Sequence, residues 1–199
     1  VLIIMMNTII QRYGGELQGD MLLTCNTIVQ SFMLMITMPL GGITGGTQTI
    51  MGYNYGAGRP DRIRRAEKHI VLLGLVFTSI MFLIAHLVPQ YFVDIFTRDP
   101  EYTQVTNWAI RVYTLCIIPL AVQYTVVDGF TGMGIAKVAV SLSMFRKLVY
   151  MVGMLALPAA AGAQAIFYAE PISDIVAAVT SFSTYLLLSG KILKDGRRF

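Results

Sequence analysis

The stretch MLLTCNTIVQSFMLMITMPLGGITGGTQTIM, residues 21–51, decides how the rest of the chain is read. Across its 31 residues there is no Asp, Glu, Lys or Arg. As a helix it would measure about 46 Å at 1.5 Å per residue, more than the ~30 Å hydrocarbon core of a bilayer. Its residues are mixed Leu, Ile, Val, Met and Phe rather than β-branched residues in alternation. In lipid, backbone groups must be satisfied within the segment or in a closed barrel, so this stretch is read as a membrane helix.

Outward from it the same pattern recurs. Full spans are expected at 70–92, 103–130, 138–161 and 165–190. A shorter apolar run, 1–12, precedes them. Val1 to Ile10 makes only about 15 Å of helix, half of what a span needs, and the chain opens on Val rather than Met. The expectation is a fragment that begins inside its first membrane helix. Connections are expected at Tyr13–Gly19, Gly52–Lys68, Thr97–Tyr102, Thr131–Lys137 and Gly162–Gln164, with a tail over Lys191–Phe199. None reads as an interdomain linker. The fold class is therefore an all-α integral membrane protein, a single six-helix transmembrane lobe whose first helix is truncated.

Composition agrees. Of 199 residues, 55% are apolar and 13% charged, with a mean hydropathy of +0.65, where a soluble domain carries about 25% charged residues. This excludes a disordered chain, a secreted disulfide scaffold and an ordinary cytosolic enzyme. Cys25 and Cys116 both lie in apolar stretches, with no disulfide or zinc spacing, and read as small apolar filler.

The +4 net charge is better read as topology than as a nucleic-acid footprint. Arg59, Arg62, Arg64, Arg65, Lys68, Lys137, Arg146, Lys147, Lys191, Lys194, Arg197 and Arg198 collect on one side of the expected bundle. Only Arg12, Arg98 and Arg111 are on the other. Twelve against three puts the first side, with the C-terminus, in the cytosol. Tyr91, Tyr102, Trp108 and Tyr113 are expected in the outer aromatic belt, and Tyr53 and Tyr55 in the inner one. The run Arg59–Lys68 has the composition to bind anionic headgroups or nucleic acid, but orientation alone accounts for it, since Asp61 and Glu67 interrupt it.

A passive anchor needs only apolar helices, whereas polar groups within spans are costly in lipid and point to function. Here they are Asn7, Thr24, Asn26, Gln30, Gln48, Gln123, Asp128, Arg146, Lys147, Glu170 and Asp174. Counted from the connection at Gln164, Asp174 lies roughly 15 Å deep, with Glu170 one turn shallower on the same face. Two stacked carboxylates repel each other and so suit a cation or a proton. The bland reading makes Glu170 interfacial and Asp174 a brace for a neighbouring helix. Asp128 and Arg146 flank the turn at Gly129–Lys137 and are expected to form a structural ion pair, with gating as the sharper alternative. Prolines at 39, 89, 119, 158 and 171 imply kinks, and Gly41, Gly42, Gly45 and Gly46 form two interleaved GxxxG pairs that suit close helix approach. Methionines such as Met33, Met38 and Met154 read first as core filler, and would also give a transporter of varied apolar substrates an adaptable wall. Together these suggest a bundle that moves around a cavity.

Catalytic signals are weak. His69 and His86 have no metal-ligand spacing, and the glycine-rich run Gly52–Gly58 follows a helix rather than a strand, so it is not read as a phosphate cradle.

That same run, Gly52-Tyr-Asn-Tyr-Gly-Ala-Gly-Arg59, follows Gln48 and precedes Arg64-Arg65-Ala66. In this setting it resembles the multidrug and toxic compound extrusion (MATE) transporters, particularly their bacterial multidrug branch. Asn7 with Tyr13-Gly14-Gly15 is similar to the end of the family's seventh helix. Pro39 with its following glycines and Gln48 is similar to the eighth. Gly129-Phe-Thr-Gly-Met-Gly134 is similar to the turn before the eleventh helix, with Arg146 at a recurrent arginine. Glu170-Pro-Ile-Ser-Asp174 is similar to the opening of the twelfth.

The resemblance implies half of a twelve-helix fold, namely its C-terminal lobe, in a multi-pass protein of the bacterial inner membrane. It implies efflux of cationic or amphipathic small molecules by antiport against Na⁺ or H⁺, with no other cofactor and no nucleic-acid partner. The partners would be the lipid bilayer and an N-terminal lobe. Asn7, Asn26, Gln30, Gln48 and Gln123 are the candidate cavity residues, and Glu170 and Asp174 the candidate coupling carboxylates. Gln123 stands where some members carry an acid. The alternatives are a flippase for a lipid-linked precursor, which would want cationic residues inside its cavity, and an intramembrane enzyme.

Overall fold

A computed structural model of the chain describes residues 2–195. Val1, Arg197 and Arg198, and the side chains of Lys191 and Lys194, lie outside what it describes, so the tail's part in the charge asymmetry stays with the sequence. Among the described residues the order is α1 (Leu2–Gly45), α2 (Gln48–Gly56), α3 (Pro60–Leu87), α4 (Pro89–Val93), α5 (Pro100–Tyr113), α6 (Ile117–Gly132), α7 (Ala136–Ala161), a 3-10 segment (Ala163–Tyr168) and α8 (Ala169–Asp195).

The expected connection at Tyr13–Gly19 shrinks to one residue. Gly15, at φ +66° and ψ −175°, occupies a region open only to glycine, and the chain stays helical on both sides of it. The two arms of α1 then run antiparallel, as the Asn7–Asn26 and Met6–Gln30 contacts show. Gly14 permits the close return, since a Cβ there would come within 2.9 Å of the Gly19 Cα.

The helix α3 starts ten residues before the expected span, at Pro60 rather than Ile70. Pro suits the first helical position, and Asp61 favours the positive N-terminal end. The basic run is therefore helix rather than loop, which sorts its residues onto distinct faces. The expected span 103–130 is instead two helices, α5 and α6, bent by 48° across residues 114–116. Pro119 explains the break: it has no N–H for the Leu115 carbonyl, and its ring clashes with that turn. At the start of α5, Asp99 Oδ1 accepts from the Glu101 and Tyr102 amides at 2.9 and 3.4 Å. Pro171 falls in the first turn of α8, where no intrahelical donor is lost.

Four helical stretches, Gln18–Gly56, Pro60–Leu87, Ala136–Ala161 and Ala163–Gly190, are long and apolar enough to cross a membrane, and the bent α5–α6 pair makes a fifth. Leu72, Leu73, Val76, Leu83 and Leu87 on α3 are exposed, as a lipid-facing side requires.

Two compact units divide the chain. The first comprises Val1–Ile36, Ile80–Cys116 and Lys147–Ser173; the second comprises Thr37–Ser79, Ile117–Arg146 and Asp174–Phe199. The first packs Met6, Ile10, Phe32, Ile110, Tyr113 and Phe167, all almost fully buried. In it Phe32 meets Phe92 edge-on with centroids 5.1 Å apart, and Trp108 meets Phe167 in the same way at 5.9 Å. The core of the second is Met51, Ile63, Val126, Phe130, Met133, Ala139 and Leu142. Lipid supplies little hydrophobic drive between helices, so close packing carries more of the association.

Glycine makes the decisive approach in the second unit. A Cβ on Gly52 would sit 2.6 Å from the Gly132 carbonyl oxygen, and one on Gly132 would sit 2.6 Å from the Gln48 carbonyl oxygen. Backbone therefore lies on backbone between α2 and α6. The GxxxG pairs expected to do this do not: a Cβ on Gly42 would meet nothing within 4 Å, and one on Gly41 would meet only the edge of Tyr124 at 4.0 Å.

Candidate functional site

In the first unit a chain of neutral hydrogen bonds links three helices, both arms of α1 with α5 and α7. Gln30 Nε2 donates to the Tyr113 hydroxyl at 2.7 Å, the Tyr113 and Tyr150 hydroxyls lie 3.1 Å apart, and the Tyr150 hydroxyl donates to Met6 Sδ at 3.2 Å. Because Tyr150 spends its proton on Met6, Tyr113 donates to Tyr150, and the direction of the chain is set. Asn26 Nδ2 donates to Asn7 Oδ1 at 3.4 Å, and Asn26 Oδ1 is buried with no partner among the described residues. Glu170, only 9% exposed, is within electrostatic reach of the Tyr113 hydroxyl. Asn7, Asn26, Gln30 and Glu170 thus belong to one unit, together with the Tyr113 and Tyr150 phenols. Tyr113, expected in the aromatic belt, is instead 2% exposed. It lies on a buried stripe of α5 with Thr106, Ala109 and Ile110, whose spacing of three and four was the available signal.

The second unit holds charges with dedicated partners. Asp128 accepts from the Thr44 hydroxyl through Oδ2, and from Gln48 Nε2 through Oδ1 at 2.9 Å. The glycine contact explains this meeting. Gln48 is one turn before Gly52 and Asp128 one turn before Gly132, so the approach of α2 to α6 brings the two side chains together. Arg146 Nε and Nη2 reach Asp174 Oδ1 at 3.0 and 2.8 Å, with Asp174 fully buried.

This corrects the expected Asp128–Arg146 pair. Both residues flank the same turn, but Asp128 projects toward Thr44 and Gln48 while Arg146 projects toward α8, so helical phase rather than distance from the turn chose the partners. Glu170 and Asp174 keep their spacing of one turn on the continuous helix α8, with Arg146 on Asp174.

Gln123 is 4% exposed, and its Oε1 has no hydrogen-bond partner among the described residues. Thr44, Tyr113 and Tyr150 were missed by sequence reasoning, as was a further group: Glu67, 7% exposed, accepts from the Tyr185 hydroxyl. Read as an interruption of the basic run, Glu67 in fact shares the buried stripe of Ile63 and Ile70, at four residues before and three after. The Gly129 backbone allows its carboxylate close, since a Cβ there would lie 3.3 Å from Glu67 Oε1.

Membrane-length helices, a proline-broken span and buried polar groups within them now stand beside the comparisons. The MatE family model matches residues 1–156. The chain belongs to the MatE family. Its members are transporters rather than enzymes.

Solved structures agree on the fold. An outward-facing multidrug resistance MATE family transporter of the MOP superfamily superimposes with a TM-score of 0.86 at 15% identity, over 95% of this chain and 42% of the other. A MOP superfamily transporter from Pyrococcus furiosus, described by a reverse polarity of its binding pocket that suggests a different function, gives 0.84 at 17% identity over 95% and 42%. The Vibrio cholerae MATE transporter VcmN in its bent form gives 0.81 at 17% identity over 98% and 43%. At such identities the likeness concerns the fold. This MatE chain spans less than half the length of each. Among curated proteins, no sequence match was found.

Proposed function

We propose that this MatE chain is the C-terminal lobe of a secondary multidrug exporter, which expels cationic or amphipathic small molecules in exchange for Na⁺ or H⁺. The observation that carries the reading is a MatE fold of half the relatives' length with polar chemistry buried inside membrane-length helices. A second, N-terminal lobe completes the cavity, which opens alternately to either side. The protein lies in the bacterial inner membrane with its C-terminus in the cytosol, supported by the basic residues collected on one side. The coupling ion is the only cofactor.

Within this lobe, Asn7, Asn26 and Gln30 with Tyr113 and Tyr150 form a neutral polar surface whose hydrogen bonds can be exchanged for those of a ligand. Gln48 and Gln123 are its counterparts in the second unit. Glu170, within reach of the Tyr113 hydroxyl, is the carboxylate assigned to carry a cation or proton. Asp174 is engaged by Arg146 and braces α7 to α8.

The test is transport. The full transporter, reconstituted in vesicles, is loaded with a fluorescent organic cation and given an imposed Na⁺ or H⁺ gradient. Dye movement driven by one of the gradients supports antiport and names the ion, and its loss in Glu170→Gln assigns the coupling. No movement with either ion, from folded protein, rejects drug export in favour of the lipid-linked precursor flippase.

A further inference from the structure

Glu67 is a buried titratable group that the proposed transport cycle does not use. It lies in the basic stretch just ahead of the apolar run 70–92, yet its side chain is drawn into the packing of unit two. Three carboxylates of that unit differ in what offsets their charge. Asp174 has the Arg146 guanidinium at 2.8 Å. Asp128 has two donors, Thr44 and Gln48, and is only half-buried. Glu67 is buried and has one donor, the Tyr185 hydroxyl on Oε2, with no ion-pair partner among the described residues. Its Oε1 lies against the Gly129 backbone, where a Cβ would come within 3.3 Å. The groups that face it can be named element by element. From α3 the Arg64 cation acts on it from one turn away, itself exposed to solvent. From α8 comes the Tyr185 phenol, which lies beside Phe130 with ring centroids 6.4 Å apart. From α6 comes backbone, since Asp128 beside Gly129 turns to Thr44 and Gln48.

A carboxylate withdrawn from water stays charged when a paired cation or several donors replace its hydration. One phenol and a solvent-screened arginine replace only part of it, and uptake of a proton removes the rest of the charge. We infer that Glu67 is a proton-binding site whose occupancy is read by Tyr185. With Glu67 ionised, Tyr185 makes a charge-assisted hydrogen bond that ties α8 to α3. With Glu67 protonated, the same contact is a neutral bond, about half as strong. The pH on the basic side of the bundle thereby sets how firmly α8 is held to α3. The inference depends on neither the coupling ion nor the exported compound.

Infrared difference spectroscopy of the full transporter, titrated with acid in detergent, tests it. A protonated-carboxyl band is expected to grow in as the pH falls and to be missing in Glu67→Gln. A tyrosine ring mode, missing in Tyr185→Phe, should shift with the same midpoint. Tyr185→Phe removes the donor to the ionised form, so the carboxyl band should titrate about one pH unit higher. Arg64→Gln removes an attractive charge and should move it the same way by less, because that charge is exposed. Glu67→Gln, fixed in the uncharged form, should melt above the parent at high pH, with the gap closing as the pH falls through the titration. The absence of any carboxyl band that Glu67→Gln removes would overturn the inference. So would a band whose midpoint ignores Tyr185→Phe, or a Glu67→Gln protein that melts below the parent or fails to fold.

Discussion

The two compact units solve the cost of polar groups in a membrane protein differently. The first relies mainly on neutral groups in series: an amide, two phenols and a thioether, from Gln30 through Tyr113 and Tyr150 to Met6. The second relies on charge held by dedicated donors: Asp174 by Arg146, Asp128 by Thr44 and Gln48, and Glu67 by Tyr185. A neutral hydrogen bond contributes only about 0.5–1.5 kcal/mol net, so such a chain can be rearranged at small expense. A buried ion pair that loses one member strands a charge, at about 3–5 kcal/mol, so it resists rearrangement. The contrast assigns adaptability to the first unit and bracing to the second.

The largest expected effect is at the brace. Arg146→Met leaves the fully buried Asp174 carboxylate without its cation and should destabilise the protein by about 3–5 kcal/mol, seen as a lowered midpoint in detergent melts. Adding Asp174→Leu should recover most of the loss. A single variant as stable as the parent would remove the distinction between the units.

Next is the backbone contact that brings Gln48 to Asp128. Gly132→Ala places a methyl 2.6 Å from a backbone oxygen that cannot swing aside, and should cost about 1–3 kcal/mol. Gly42→Ala, with nothing within 4 Å, is the matched control and should leave the melt unchanged or slightly higher.

In the neutral chain, Tyr113→Phe deletes the hydroxyl that serves both Gln30 and Tyr150, and should lower stability by about 1–3 kcal/mol. Dye transport is expected to fall more steeply than the melting midpoint. Parallel declines in both would make this chain a brace like its counterpart. The smallest effect is expected for Asp128→Asn, about 1 kcal/mol, because the amide keeps an oxygen that can accept from Gln48 or Thr44. A loss as large as that of Arg146→Met would mean that the carboxylate charge itself is needed there.

Hydropathy and proline chemistry made much of the architecture readable. A charge-free run of 31 residues leaves few options in any solvent but lipid, and Pro119 marks a break that follows from its missing N–H. Of the candidate residues, Asn26, Gln123, Glu170 and Asp174 stand out by being polar at positions that are buried. Glu67 and Tyr113 were equally legible in principle, since each shares a stripe with buried apolar neighbours. They were passed over because one sits in a basic run and the other was assigned to the outer aromatic belt. What no count along the chain reveals is whom a polar group faces. Asp128 and Arg146 look matched by their position beside one turn, but a rotation of roughly 100° per residue turns their side chains to different neighbours.

The sequence by itself therefore determined that this is a helical membrane protein of the MatE type, because lipid permits few backbone solutions and the apolar lengths, prolines and ordered motifs are local properties. Only the tertiary structure decided that Arg146 serves Asp174 and that Gln48 serves Asp128. Those outcomes depend on helix phase and on close approach at Gly52 and Gly132 between segments some 80 residues apart, which no local pattern encodes.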